Sequence, residues 1–157
     1  MTQKETLKNI WTLVSISSSI DRDNNTLSLF DILEELTVQV SGTMPDQAVV
    51  PVNHTLMSVW SREDASKPMS LKFKILLRDS HGKILHENEA EIKLAEGNKN
   101  ARFRAQLNGF PVTSEGQYRY EVISLEPEKT GGKELVNTVN IEVHFAQQAV
   151  KSPLSPA

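Results

Sequence analysis

The sequence contains no cysteine. That removes disulfides, thiolate nucleophiles and thiolate-held zinc or iron–sulfur centres together. No window nears the roughly 18 apolar residues of a membrane-crossing helix. Glycine is scarce, at seven residues, and Gly131-Gly132 is an isolated pair in a turn, so no phosphate-cradling loop is present. An excess of positive charge is missing too: 17 Lys and Arg stand against 20 Asp and Glu, a formal net charge of -3. Neither nucleic acid nor an anionic membrane is therefore attracted to the chain as a whole. The opening Met1-Thr-Gln-Lys-Glu-Thr-Leu-Lys8 is polar where a signal peptide needs an apolar core, which makes the cytoplasm the expected location.

What remains is a chain of 157 residues, 38% hydrophobic and 24% charged. That length is near the usual size of one domain and can bury a core unaided by metals. The expected organisation is one β-sandwich domain over 1–146. A flexible tail over 147–157 should follow, because the ending is aperiodic and carries two prolines.

Period-two alternation dominates the chain and places every second side chain on one face of a strand. In Leu71-Lys-Phe-Lys-Ile-Leu-Leu-Arg78 all odd positions are apolar, and Lys72, Lys74 and Arg78 occupy even ones. Ala90, Ile92 and Leu94 alternate with Glu89, Glu91 and Lys93. Ala101, Phe103, Ala105 and Leu107 alternate with Arg102, Arg104, Gln106 and Asn108, and Val139, Ile141, Val143 and Phe145 with Asn140, Glu142 and His144. A helix would bury these charges. Turn residues fall between such runs, at Asp79-Ser-His-Gly82, Glu96-Gly-Asn-Lys-Asn100, Ser114-Glu-Gly116 and Thr130-Gly-Gly-Lys133. The pattern predicts an all-β, antiparallel β-sandwich of immunoglobulin-like or transthyretin-like type with seven to nine strands. Leu71 to Arg78 should form a hairpin with Ile84 to Leu94, Lys and Arg opposing Glu. Trp11, Trp60, Phe73, Phe103, Tyr118 and Phe145 are the expected aromatic core. Between Asp31 and Glu35 the code shifts phase, which reads as a strand interrupted by a bulge, the alternative being a short helix.

Two segments carry a resemblance. Asp23-Asn-Asn-Thr-Leu-Ser-Leu-Phe-Asp31, after a first strand, and Leu107-Asn-Gly-Phe-Pro-Val-Thr-Ser-Glu-Gly-Gln-Tyr-Arg-Tyr-Glu-Val122 together resemble an uncharacterised bacterial family of small β-sandwich proteins. The resemblance implies the sandwich fold and no activity.

Chemistry finds little purchase. His54, His81, His86 and His144 lack the i, i+4 spacing of helical zinc sites. Asp21-Arg-Asp-Asn-Asn25 begins like a calcium loop, but Thr26 and Ile32 stand where glycine and glutamate are needed. Asp21 and Asp23 remain weak calcium candidates. No Gly-x-Ser-x-Gly elbow is present. Glu34 with Glu35, and Glu87, Glu89 and Glu91, read as solvated faces. Basic strips at Arg102, Arg104, Arg119, Lys72, Lys74 and Arg78, with Tyr118 or Tyr120 to stack bases, are what nucleic-acid binding would use, but the acidic neighbours disfavour it.

By elimination, a non-enzymatic protein-binding or accessory module is expected. No catalytic residue, cofactor, metal or membrane is expected, and oligomeric state is left open. The rival reading is a small-molecule or calcium-binding domain using loop carboxylates. The expected partner socket is the strand over 55–60, read as an edge, with Ser58 on its backbone and Trp60 as anchor.

Overall fold

The computed structural model describes residues 6–43 and 45–147. Eleven strands run as β1 (Lys8–Ile20), β2 (Leu27–Ile32), β3 (Glu35–Val40), β4 (Ala48–Val50), β5 (His54–Ser61), β6 (Met69–Arg78), β7 (Ile84–Leu94), β8 (Asn100–Leu107), β9 (Phe110–Val112), β10 (Gly116–Ser124) and β11 (Leu135–Gln147). A four-stranded sheet, β2-β1-β5-β8, faces a five-stranded sheet, β3-β11-β10-β6-β7, while β4 and β9 form a small ribbon. The fold is an all-β sandwich. Its two main sheets hold the nine strands at the top of the expected range, and the ribbon adds two. One pair, β3 on β11, is parallel. Of the expected tail over 147–157, Gln147 ends β11 and 148–157 lie outside the described residues.

The hairpin of β6 and β7 follows from its alternation. Leu71, Phe73, Ile75 and Leu77 are buried, and Lys72 lies opposite Glu91 and Lys74 opposite Glu89. Gly82, at φ 84, makes the reversal. Asp79 shapes the turn: one carboxylate oxygen accepts the N–H groups of His81 and Lys83, both at 2.9 Å, and the other accepts the Thr113 hydroxyl at 2.7 Å.

The phase shift at Asp31 to Glu35 is neither a bulge within one strand nor a helix. β2 belongs to the first sheet and β3 to the second, so the chain changes sheets between Ile32 and Glu35. Asp31 adopts φ 55 just before the crossing. Leu33 is buried in it and donates its N–H to the Val14 carbonyl at 2.7 Å. Changing sheets inverts which side chains face inward, and that inversion is the phase shift.

Trp60, Phe73 and Tyr118 are fully buried, while Phe103 and Phe145 are half-buried against the core. Trp11 is a correction. It pairs with Val59, on the face of β5 that points away from the second sheet.

That outer face is covered by the chain itself. β1 pairs with β5 only as far as Ser15, and its remainder pairs with β2 alone. The turn of this β1–β2 hairpin nevertheless reaches Arg102 on β8. The guanidinium donates to the Asn25 backbone carbonyl at 2.9 Å and to its side-chain oxygen at 3.3 Å. Arg102 lies opposite Val59, and Val59 opposite Trp11, near the beginning of β1. A straight ribbon at roughly 3.3 Å per residue would carry the turn about 30 Å away from Trp11. The hairpin therefore doubles back over the sheet, and Met57 on that face is fully buried as a result.

Candidate functional site

The strand expected to be an exposed edge is a central one. β5 lies between β1 and β8, and Ser58 and Trp60 have no exposed surface. The Ser58 hydroxyl meets the side chains of Asn9 at 2.6 Å and Thr12 at 3.0 Å. Trp60 packs on Phe73 with ring centroids 5.6 Å apart. Neither residue presents a surface to a partner. The scarcity of charge in β5, taken as the mark of an open edge, is instead the mark of a strand covered on both faces.

Among the described residues the edges are β2 and β8 in one sheet and β3 and β7 in the other. At one side of the sandwich β2 runs straight into β3, and the sheet change closes the gap. At the other side β7 and β8 are joined by the turn over 95–99 and open away from it. Buried Arg62 holds the joined end, donating from Nε to the Asn98 carbonyl at 2.9 Å and from its terminal nitrogens to those of Lys67 at 2.7 Å and Ala95 at 3.0 Å.

At the open end a cleft of about 590 Å³ lies between the two edges. Leu85, His86 and Asn88 line it from β7, and Phe103 to Leu107 from β8. Gln47, Val49 and Pro111 bring the β4–β9 ribbon to its mouth, and Tyr120 forms its floor. Ala101, Phe103, Ala105 and Leu107 point toward the core as their alternation requires, yet all four are only half-buried. Their counterparts on β5, from His54 to Trp60, are covered. The core is thus unroofed along β8. The lining carries four amides, Gln47, Asn88, Gln106 and Asn108, with Arg104 and His86, and no carboxylate.

Gly109 sets the end of the cleft. It adopts φ 79, and a Cβ there would come within 2.5 Å of the Val49 side chain. His54 is buried against Tyr120 of the floor. His54 Nδ1 is 3.0 Å from the Val52 carbonyl, which can only accept, so Nδ1 carries the proton. Nε2 then accepts the Tyr120 hydroxyl at 2.6 Å. Burial lowers the pKa of His54, against the Val52 hydrogen bond and with a smaller push from His86. Burial also pushes the Tyr120 hydroxyl well up.

The other expected features are dispersed. Asp21 accepts the Asp23 N–H at 2.9 Å and closes the β1–β2 turn. Among the described residues no three His, Asp or Glu side chains converge as metal ligands, and no helix is long and apolar enough to cross a membrane. Tyr118 and Tyr120 are buried and offer no ring to a base. Arg102 and Arg104 lie on β8, whereas Arg78 and Arg119, on the other sheet, both engage buried Glu121.

No family model matches the sequence, and no curated protein matches it. Among solved structures, a beta-glucosidase from Listeria innocua is similar with TM-score 0.47 and 11% identity over 91% of this chain. The chain spans 16% of that protein's length. The C-terminal domain of wzt is similar with TM-score 0.47 and 13% identity, covering 96% of this chain and 84% of that one. Likenesses at this level assign neither family nor activity.

Proposed function

We propose that the chain is a non-enzymatic module that binds an extended segment of another protein in the cleft between β7 and β8. The observation that supports this best is the half-buried row Phe103, Ala105 and Leu107 beside the edge of β8, with which no further strand pairs among the described residues. A free edge offers unpaired backbone N–H and C=O groups to an added strand, and alternate side chains of that strand would cover the row. Burying one aliphatic or aromatic side chain there contributes roughly 1.5 to 3 kcal/mol. The amides at the rim suit a peptide backbone, which both donates and accepts. A small polar molecule is the second reading, favoured by the cleft volume of about 590 Å³, which lies within the roughly 300 to 1,000 Å³ usual for ligand sites. The absence of a carboxylate from the lining turns that reading away from calcium.

The test uses affinity purification from the native host with wild type and Ala105→Arg, whose side chain fills the cleft from its half-buried position. One protein retained by wild type and lost with Ala105→Arg, at unchanged melting temperature, is the expected result. Equal retention by both would overturn the assignment to the cleft.

A further inference from the structure

The doubled-back β1–β2 hairpin does not lie flush on the sheet beneath it. It leaves a hollow of about 520 Å³, open at the side, between hairpin and sheet. Leu27 and Leu29 wall it from the hairpin, and Trp11 and Val59 from the sheet. All four are half-buried. Their apolar surface faces a space large enough for a small organic molecule.

Charge supplies the second observation. Arg102 stands at the rim, exposed, and among the described residues its two terminal nitrogens donate only to the neutral oxygens of Asn25. Among the described residues no carboxylate lies within ion-pair distance of it. A guanidinium has five N–H groups, so three remain for a further acceptor. Arg104, two residues along the same strand, likewise has no carboxylate within reach among the described residues. The carboxylates of the neighbouring turn, Asp21 and Asp23, form no ion pair with either arginine among the described residues, so both guanidinium groups can take a bound anion.

We infer that the hollow binds an amphiphilic monoanion, its apolar body against Trp11, Leu27, Leu29 and Val59 and its carboxylate or sulfonate on Arg102. The apolar walls supply most of the affinity, because they leave water when filled. Arg102 supplies the choice of charge, through hydrogen bonds strengthened by the anion. This site lies on the opposite face of the sheet from the core and shares no lining residue with the β7–β8 cleft.

The test uses two fluorescent probes of similar body, anionic 1-anilinonaphthalene-8-sulfonate and uncharged N-phenyl-1-naphthylamine. The chain has two tryptophans. Trp11 lines the hollow and Trp60 follows Val59 of its wall, so energy transfer to a bound probe quenches both, and the probe's own emission is the readout of binding. Wild type should bind one sulfonate probe with a saturable rise in probe emission, and Trp11→Phe should weaken that binding. Arg102→Gln should weaken the sulfonate probe about tenfold and leave the neutral probe unchanged, while Arg102→Lys should recover part of the loss. Equal loss of both probes in Arg102→Gln would show that Arg102 merely holds the hairpin, and overturns the inference. So does sulfonate binding that neither variant alters.

Discussion

Nε2 of His54 and the hydroxyl of Tyr120 are 2.6 Å apart, a hydrogen bond that joins β5 of one sheet to β10 of the other beneath the cleft. Tyr120→Phe keeps the ring and leaves a buried ring nitrogen without its donor. The expected cost is about 1 to 3 kcal/mol, read from urea unfolding at neutral pH.

The same pair sets a pH dependence. The His54 pKa in the folded chain is below its ordinary 6.5, so the unfolded chain takes up the proton first. Its contribution is fully present above about pH 6.5 and is lost as pH falls toward the folded value. Urea midpoints between about pH 7.5 and pH 5 should decline. His54→Gln should flatten that decline, and an unchanged slope would mean that another group titrates.

Arg62 serves three carbonyls at the joined end of β7 and β8. Lysine has one nitrogen on a flexible stem and cannot reach all three. Arg62→Lys should lower stability by about 2 to 3 kcal/mol and speed amide exchange in the turn over 95–99. Unchanged exchange there would show that the turn holds without Arg62.

Gly109→Ala forces a side chain into a left-handed backbone and against Val49. The expected loss is about 1 to 3 kcal/mol, measured by thermal melting. Gly97, also at positive φ but with open space around it, should show the smaller effect of strain alone.

For Asp79, burial alone would raise the pKa, but the Thr113, Lys83 and His81 hydrogen bonds outweigh it and hold it below the ordinary value. Its contribution is present above about pH 4 and is lost as pH falls further. Asp79→Ala should cost about 3 kcal/mol at neutral pH. The gap from wild type should narrow in acid.

The strands whose two faces differ could be read from their residues. β6 and β7 alternate because one face meets the core and the other meets water, and their register followed from that contrast. β5 could not be read so, because the doubled-back hairpin covers its second face and erases the contrast. Trp11, on that covered outer face, carries the same apolar signature as a core residue for the same reason. Which strands lie at an edge depends on pairings between distant segments, such as Ser58 with Thr12, and on the parallel contact of β3 with β11. Neither leaves a local mark. The row Phe103, Ala105 and Leu107 has the alternation of any core-facing row. Its half-burial reflects the lack, among the described residues, of a strand pairing with β8 beyond β5, which no residue in the row encodes.

Hydrogen exchange of β8 tests the binding of an extended segment in the cleft most directly. The amides of Asn100–Leu107 are to be followed with and without the protein captured by wild type. An added strand can bond only every second N–H, those directed away from β5. Alternate amides along β8 should therefore slow on binding, while the edges at β2 and β3 keep their free rates. Protection confined to β2, β3 or the loops, with β8 unchanged, would contradict the assignment.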